Sequence, residues 1–437
     1  MAKNIITGID VGSSKICTVI ASFEDDIDSK PQVIGTSIVE SKGIKRGVVI
    51  NIEQAVTCIS DSLELAEKMS GLTVSSVIVS VNGSHIASIN NKGVIAVANR
   101  DEISKDDVER AVESAKTVAI PNSREIIHVL EREYVVDSLP GIRQPIGMSG
   151  TRLEVDTHII SAVVTATHNL KKPFEQIRIN LDTTVFTGYA SAESVLTNTE
   201  KELGVMLLDI GAGTTSITIY EDDAICYSGC VPYGGSLITT DLASILRLST
   251  TDAEKLKINF GKIIDLKNKK TVIKSDSPSF LRKDSDAKVE EKKDDFDGDT
   301  YDVKALNLEN IDSISKRMFD EIVEARLEDI FEFVVDEVTK AGYEYKQPAG
   351  IVITGGTANL YNISKIIQKH LGVPARIGTP HALIGMTDEI ESPEFSVVQG
   401  LILRGMNLES EIGTSGGPSK VGSTLSSVFG WFKKFAP

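Results

Sequence analysis

GIDVGSSKICTVI at residues 8–20 and LDIGAGTTSITIY at residues 208–220 follow one pattern. In each stretch an apolar run leads to an Asp, which is followed by an apolar residue, a Gly, small residues and a β-prone segment. The two aspartates, Asp10 and Asp209, are 199 positions apart (209 − 10). Glycine permits the tight turns that connect neighbouring strands, so the pattern predicts two related β-hairpins.

The turns of these hairpins predict a phosphate site. Backbone N–H groups exposed in a tight turn bind phosphate, and an Asp beside them holds Mg²⁺, usually through water. Gly211 and Gly213 form a GxG, but the segment after them is strand-like, whereas a Rossmann fingerprint needs a helix there. The sequence contains no GxxxxGK[ST], which excludes a P-loop.

Two further segments extend this site. GIVITGGTANL at residues 350–360 joins an apolar strand to a Gly-Gly pair and then to a helix-like segment, whose first amides are suited to a nucleotide. TDAEKLKINFG at residues 251–261 is predicted to be a helix that places Glu254 and Lys257 on adjacent turns. The four segments together predict a nucleotide bound with Mg²⁺.

Composition limits the classes of function. The 437-residue chain is long enough for two or more domains. Its formal net charge of −16 argues against a nucleic-acid partner, which needs a basic surface. The four cysteines form no CxxC motif, so a zinc site is not expected. This cysteine usage predicts a protein of the reducing cytoplasm. We find no signal peptide and no apolar run of ~20 residues, so any membrane contact is expected to be peripheral.

Strand-like and helix-like segments alternate along the chain, which is typical of an α/β fold. Residues 84–163 have a pattern of their own, with strand-like stretches around a helix that Ser104 and Asp107 begin as a capping box. This block is predicted to be an inserted α+β subdomain. Residues 274–304 are charged and poor in apolar residues, which predicts a surface loop.

The last segment, SSVFGWFKKFAP at residues 426–437, is apolar and basic, although the whole chain is acidic. At about 100° per residue, its apolar side chains fall on one side of a helix. Residues 407–423 before it are rich in Gly and Ser, which predicts a flexible linker. A tethered helix with aromatic and basic side chains is typical of one that lies on a membrane surface. The predicted membrane contacts are Leu425, Val428, Phe429, Trp431, Phe432, Lys433, Lys434 and Phe435.

The order of the four nucleotide segments resembles the actin/DnaK/sugar-kinase ATPase superfamily, in which two opposed lobes enclose ATP. The resemblance implies an actin-like two-lobed ATPase fold with ATP and Mg²⁺ as cofactors. The AEKLKINFG segment is similar to the one that flanks adenine in bacterial actins. The implied ATP contacts are Asp10, Gly12, Ser13, Ser14, Lys15, Asp209, Gly211, Gly213, Thr214, Thr215, Gly235, Glu254, Lys257, Gly355, Gly356 and Thr357. Asp10 and Asp209 are implied to hold Mg²⁺ through water.

Within this superfamily the sequence resembles the FtsA family of bacterial cell-division proteins. RGVVINIEQAV at 46–56, VSVNGSHI at 79–86 and PIGMSGTRLEVDTHII at 145–160 are similar to FtsA, and the insertion corresponds to FtsA subdomain 1C. The implied domains are lobe 1A at 1–83 and 164–204, subdomain 1C at 84–163, lobe 2A at 205–230, subdomain 2B at 231–320, the closing part of lobes 2A and 1A at 321–406, the linker at 407–423 and a membrane-targeting amphipathic helix at 424–437.

The resemblance also implies partners. An FtsA-like protein self-assembles into actin-like protofilaments, binds the C-terminal peptide of the tubulin-like protein FtsZ, and tethers the FtsZ ring to the cytoplasmic face of the cell membrane at the division site. It contacts anionic lipid through its tail, and later division proteins are expected at subdomain 1C. SISKRMFDEIVEARLEDIFEFV at 313–334 matches the peptide-binding region, in which Lys316, Arg317 and Arg326 are the implied contacts to peptide carboxylates.

Catalysis is left open by the sequence. Glu193 lies in the segment that supplies a water-orienting residue in related ATPases, and at most weak ATPase activity is expected. Two alternative functions remain at this point. One is a small-molecule kinase of the same superfamily, which needs no amphipathic tail. The other is a PilM-like pilus-assembly ATPase, which shares the insertion but lacks the tail.

Overall fold

The computed structural model describes residues 4–24, 30–117, 120–261, 300–308, 311–385 and 390–413. The chain forms two compact units. The first unit comprises Met1–Leu237, Glu328–Asn359 and Ile363–Pro437, and the second comprises Ile238–Leu327 and Leu360–Asn362.

The described strands are β1 Asn4–Val11, β2 Lys15–Phe23, β3 Gln32–Glu40, β4 Ile44–Lys45, β5 Val48–Val49, β6 Ser76–Val81, β7 Ala87–Ala96, β8 Arg124–Val136, β9 Leu139–Ile142, β10 Arg152–Val163, β11 Asn180–Phe186, β12 Val205–Ile210, β13 Thr215–Glu221, β14 Ala224–Val231, β15 Thr300–Asp302, β16 Ser313–Ser315, β17 Ile351–Thr354 and β18 Ala375–Ile377. The described α-helices are α1 Ile52–Ser70, α2 Lys105–Lys116, α3 Val164–Gln176, α4 Thr187–Val195, α5 Asn198–Leu203, α6 Ser236–Leu246, α7 Thr250–Gly261, α8 Lys316–Lys340, α9 Ile363–Leu371 and α10 Ser396–Gly413.

Two five-stranded sheets of the first unit have the same topology. Their strand orders are β3-β2-β1-β6-β11 and β14-β13-β12-β17-β18. In each sheet the first three strands are antiparallel, and the last two run parallel to the hairpin's first strand. The predicted α/β fold and the two predicted hairpins, β1–β2 and β12–β13, are therefore confirmed.

Helices cover both faces of the first of these sheets. Side chains alternate between the faces of a strand. Ile9 and Ile20 therefore pack with Ile59 of α1 on one face, whereas Val19 packs with Leu401 of α10 on the other. Full burial of such side chains contributes ~1.5–3 kcal/mol each, so α1 and α10 hold β1 and β2 in place from both sides.

The insertion has the predicted α+β architecture. Its sheet has the order β7-β10-β8-β9, and α2 packs on it through Ala111 and Ala115. The predicted capping box is confirmed, because Ser104 Oγ accepts the Asp107 N–H at 3.2 Å and Asp107 Oδ2 accepts the Ser104 N–H at 3.0 Å. A local sequence signal thus fixed the start of this helix.

The second unit corrects one prediction. The predicted surface loop at 274–304 lies outside the described residues as far as residue 299, but Thr300–Asp302 forms a strand that pairs with Ser313–Ser315. Tyr301 explains the difference, because its ring is buried against Phe260 and Phe319, with centroids 4.5 and 5.8 Å away. The end of the charged segment thus packs into the second unit through Tyr301.

The predicted linker at 407–423 is wrong in its first part. Helix α10 continues to Gly413, so residues 407–413 are helical. Leu and Glu between Asn407 and Gly413 favour a helix, and Gly is the commonest residue just past a helix end. The rest of the linker and the predicted membrane-targeting helix at 424–437 lie outside the described residues. Within the described ranges, every helix is too short or too polar to cross a membrane.

Candidate functional site

The two hairpin turns have matching backbone geometry. The Gly12 N–H donates to the Lys15 carbonyl at 3.0 Å, and the Gly211 N–H donates to the Thr214 carbonyl at 2.9 Å. Asp10 pairs with Cys17 in the first hairpin, and Asp209 pairs with Ser216 in the second. Each Asp therefore stands at the same position relative to its turn.

The turns lie against each other in the first unit. A Cβ atom on Gly213 would be 2.8 Å from Ser13 Oγ and 3.1 Å from the Arg46 backbone nitrogen, so only glycine fits without a shift. Ser13 Oγ also accepts the Gly47 N–H at 3.0 Å. The predicted residues Ser13 and Gly213 are thus brought together, and the β4–β5 turn, which the sequence analysis did not include, joins them.

Two carboxylates and one ammonium group are concentrated beside these turns. Ser80 Oγ donates to Asp10 Oδ1 at 2.7 Å, while burial raises the pKa of Asp10 above its usual range. Burial raises the pKa of Asp209 to about 7; the Asp10 carboxylate acts in the same direction, and Lys15 opposes it. Asp10, Asp209 and Lys15 therefore interact electrostatically.

The carboxylate pair is chemically suited to Mg²⁺, which prefers oxygen ligands and is usually held by one or two carboxylates together with water and phosphate. In the part of the chain that the structure describes, no cluster of three or more His, Cys, Asp or Glu side chains is suited to a metal ion. A metal at Asp10 and Asp209 would consequently need further oxygen ligands from water or a bound phosphate.

The third predicted motif adjoins the same carboxylates. Gly355 has φ of +85°, and a Cβ there would collide with Asp209 Oδ1. A Cβ on Gly356 would be 3.6 Å from Lys15 Nζ. The predicted helix after the glycines is a short 3-10 helix, Gly356–Asn359, and the α-helix begins only at Ile363. The predicted helix-like segment after the glycines is therefore present, as a 3-10 helix followed by an α-helix.

Hydrogen bonds fasten this motif to the second hairpin. The Gly211 carbonyl accepts Thr357 Oγ1 and the Gly235 N–H, both at 2.9 Å. The space beside Gly235 is filled by Thr357, so a side chain at position 235 would collide with it. Gly211, Gly235 and Thr357, all predicted for the site, therefore form one contiguous backbone surface.

Three other predicted residues of the hairpins differ in their surroundings. Ser14 is exposed, whereas Thr215 is buried and its hydroxyl donates to the Tyr233 carbonyl at 2.8 Å. Thr214 Oγ1 accepts Asn82 Nδ2 at 2.9 Å. The hydroxyls of Thr214 and Thr215 thus make hydrogen bonds within the protein.

Glu254 and Lys257 belong to the second unit. Lys257 Nζ lies 2.7 Å from Glu254 Oε2 and donates to Thr239 Oγ1 at 2.9 Å. Thr239 Oγ1 also bonds to Glu254. The two predicted residues therefore form an ion pair on adjacent turns of α7, as their spacing indicated.

The weak catalytic candidate and the peptide candidates have partners of their own. Glu193 Oε1 accepts Lys201 Nζ at 2.9 Å. Arg326 makes a two-point contact with Asp241, at 2.5 and 3.0 Å.

The other two peptide candidates are more accessible. Arg317 is exposed on α8 and pairs with Glu321 at 2.8 Å. Lys316 Nζ lies 5.5 Å from the centre of the Tyr301 ring.

Sequence reasoning missed Arg46, Ser80, Asn82 and Glu394. A signal for two of them was present, because VIVSVNG at 77–83 repeats the strand-then-glycine pattern of IVITGG at 351–356. Asn82 Oδ1 accepts Ser216 Oγ at 3.1 Å, so this segment contacts the second hairpin as well. Glu394 forms an ion pair with Lys15, and no sequence pattern near Glu394 indicated that it belongs to the site.

Solved structures show which class of fold this is. The chain is similar to a structure titled PilM-PilN type IV pilus biogenesis complex, with a TM-score of 0.56 and 15% identity over 92% of this chain and 98% of that one. It is also similar to MreB5 of Spiroplasma citri bound to ADP, with a TM-score of 0.50 and 12% identity over 94% and 99% of the two chains. At these identities the likeness shows the fold alone, and it is the actin-like ATPase fold that the sequence predicted.

Family comparisons are more specific. A family model described as "SHS2 domain inserted in FTSA" matches residues 83–161, and one described as "Cell division protein FtsA" matches residues 206–400. The FtsA of Pseudomonas aeruginosa is 34% identical over 407 residues, covering 93% of this chain and 90% of the relative. The FtsA of Borreliella burgdorferi is 35% identical over 404 residues, covering 92% and 91%. The chain belongs to the FtsA family of cell-division proteins, which confirms the resemblance.

Proposed function

We propose that this cell-division protein binds ATP with Mg²⁺ between its two hairpin turns, self-assembles like actin, and tethers the FtsZ ring to the cytoplasmic face of the membrane. The observation that carries the proposal is the meeting of the two turns beside Asp10, Asp209 and Lys15. Membership of the FtsA family supports this adaptor over a metabolic kinase or a pilus-assembly ATPase.

The nucleotide part of the proposal rests on complementary chemistry. Turn amides and the Lys15 ammonium group favour phosphate, while Asp10 and Asp209 would hold Mg²⁺ together with water and phosphate oxygens. Related folds carry such ligands, since the MreB5 structures are titled as bound to ADP and AMPPNP. When bound, Mg²⁺ would neutralise phosphate charge; the chain's own residues bind and orient the nucleotide.

Turnover is proposed to be weak at most. A general base or water-orienting group must be within hydrogen-bond reach of the attacking water. The Glu193 carboxylate is engaged by Lys201, an ion pair whose side chains are 25% and 13% exposed. A structural role for Glu193 fits that contact better than a catalytic one.

The peptide part of the proposal concerns the second unit. An acidic FtsZ peptide would meet Lys316 and Arg317 most easily, because the Arg317 side chain is 82% exposed and its ion pair with Glu321 costs little to exchange. Arg326 is a weaker candidate than the sequence indicated, since its two-point contact with Asp241 would have to break.

Membrane attachment is proposed from the sequence of residues 424–437, which lie outside the described residues. Half burial of six apolar side chains would yield on the order of 5 kcal/mol, which corresponds to a dissociation constant of ~10⁻⁴ M. A single chain would therefore bind weakly, and side-by-side assembly would convert many weak tails into a firm attachment.

Vesicle co-sedimentation tests the adaptor role. The full chain and a chain ending at Ser423 are mixed with vesicles of anionic lipid in the presence of ATP and Mg²⁺. We expect only the full chain to pellet, and to recruit an FtsZ C-terminal peptide with it. Pelleting of both chains, or of neither, would contradict attachment through the tail.

A further inference from the structure

One charged side chain beside the proposed nucleotide site belongs to none of the predicted motifs. Glu394 lies in the 3-10 helix Pro393–Phe395 and forms an ion pair with Lys15, although the two residues are 379 positions apart. The side chains of Lys15 and Glu394 are 23% and 25% exposed, so the pair is mostly removed from water.

The backbone that carries Glu394 is fixed to the third nucleotide motif. The Pro393 carbonyl accepts the Gly355 N–H at 3.2 Å and Thr354 Oγ1 at 3.3 Å. Ser392 Oγ accepts Asn359 Nδ2 at 3.2 Å, and the Phe395 side chain is buried. Glu394 is therefore held beside Gly355 and Gly356 rather than on a freely moving loop.

Several carboxyl groups interact with Lys15 among the residues that the structure describes. Asp10, Asp209 and Glu394 bring three carboxyl groups to one ammonium group. An incoming triphosphate would add further negative charge, and it would need the same ammonium group that Glu394 already holds. Like charges a few ångströms apart repel strongly in a site with limited water.

We propose that Glu394 is a built-in counter-ion: it holds Lys15 in the nucleotide-free protein, competes with phosphate for it, and so makes nucleotide binding depend on Mg²⁺. This inference rests on the proposed function, because it deepens the nucleotide site. Bound Mg²⁺ would offset part of the carboxylate charge, and Lys15 would then be available to the phosphates. Metal-free nucleotide lacks that compensation and meets the repulsion in full.

The test is a calorimetric titration of the full-length protein with ADP. It is carried out once with Mg²⁺ present and once with EDTA instead of Mg²⁺. The variants are Glu394→Gln, which keeps the size of the side chain and removes its charge, and the control Glu391→Gln, which removes an exposed carboxylate three positions earlier. We expect Glu394→Gln to bind metal-free ADP about 10-fold more tightly, the effect of removing one partly screened like charge. Glu391→Gln should match the unsubstituted protein.

A double-substitution cycle separates competition for Lys15 from general repulsion. In a Lys15→Met background the ammonium group is absent, so the gain from Glu394→Gln should fall to about 3-fold or less. An equal gain in both backgrounds would overturn the counter-ion role, because Glu394 would then act on the phosphates alone. Thermal melting of each variant confirms that it is folded.

The outcomes also distinguish this inference from the proposed function. If the unsubstituted protein binds Mg²⁺–ADP but Glu394→Gln leaves metal-free binding unchanged or weaker, only the counter-ion proposal is overturned. If the unsubstituted protein binds no ADP at millimolar concentration with Mg²⁺ present, the nucleotide site itself is refuted and the counter-ion proposal with it.

Discussion

The β1–β2 and β12–β13 hairpins have the same backbone and different side chains. Each residue of the first turn corresponds to the residue 199 positions later, so Gly12 matches Gly211 and Lys15 matches Thr214. Lys15 makes an ion pair with Glu394, whereas Thr214 makes a neutral hydrogen bond with Asn82. Both hairpins therefore present backbone amide donors, but only the first hairpin has a positively charged side chain, Lys15, at this position.

The two aspartates differ in the same way. The strand beside Asp10 supplies Ser80, whose hydroxyl donates to the carboxylate. The strand beside Asp209 supplies Thr354, whose hydroxyl donates to the Gly378 and Pro393 carbonyls. Burial raises the pKa of both carboxylates, that of Asp209 to about 7. A repeated fold thus allows the hydroxyl on the neighbouring strand to take a different hydrogen-bond partner in each half.

Removing either carboxylate should have the largest effect. Asp10→Asn and Asp209→Asn each take one charged oxygen ligand from the proposed Mg²⁺ site, and we expect each to weaken Mg²⁺–ADP binding by about 100-fold. Calorimetric titration measures it, and a parallel titration with metal-free ADP, whose binding should not weaken, shows that the loss comes from the metal. An effect confined to one aspartate would show that the metal is held by one half only.

The turn glycines test how tightly each half is packed. A Cβ on Gly12 would be 2.6 Å from the Lys15 carbonyl oxygen, but one on Gly211 would be 3.4 Å from that of Thr214. We expect Gly12→Ala to lower the free energy of unfolding by about 1–3 kcal/mol and Gly211→Ala to change it by less than about 0.5 kcal/mol. Urea denaturation of this matched pair decides the point; equal losses would mean that the turns are equally crowded.

The edge strand β14 of the second sheet is bonded to the insertion, through His158. His158 Nε2 is 2.9 Å from Ser228 Oγ and Nδ1 is 2.6 Å from Asn90 Oδ1. Burial lowers the pKa of His158 to about 3, and Arg132 and His128 act in the same direction.

The folded state therefore keeps His158 neutral, whereas the unfolded state takes up a proton as the pH falls through about 6.5. Between pH 6.5 and 5.5 the chain should lose about 1 kcal/mol of stability to this group, and the loss continues toward pH 3. His158→Gln should reduce that slope in urea denaturation at several pH values. His168→Gln, at an exposed position, is the control and should leave the slope unchanged.

The smallest expected effect concerns Asn82, the neutral counterpart of the ion pair. Asn82→Ala removes the side-chain hydrogen bonds that Asn82 makes with Thr214 and Ser216, which should cost about 1 kcal/mol in unfolding free energy. Thr214→Val removes the same bond from the other side. If the bond is real, the double substitution should cost less than the two single losses together; simple additivity would contradict it.

Local signals explain what the sequence predicted. The aspartates, the turn glycines and the Ser104–Asp107 capping box each depend on residues within a few positions, so their patterns survive without knowledge of the fold. The same holds for the family resemblance, which rests on short motifs in chain order.

Long-range contacts explain what the sequence analysis missed. Glu394 meets Lys15 only because α10 packs on β1, and nothing near Glu394 in the chain indicates a charge partner. Tyr301, in the last part of a charged segment, contacts Phe260 and Phe319, and the contact with Phe260 spans about 40 positions of the chain. The partner of Arg326 is Asp241, which is likewise 85 positions away. The sequence of α8 by itself therefore indicated an arginine available to a peptide, whereas the structure pairs it with Asp241.

The central claim is that both hairpins bind one nucleotide. Amide hydrogen exchange of the full-length protein, with and without ADP and Mg²⁺, tests it most directly, because turn amides that donate to phosphate exchange more slowly. We predict slower exchange at residues 12–15, 211–215 and 355–357 together. Protection at only one hairpin, or no change at either while ADP is bound, would contradict the account.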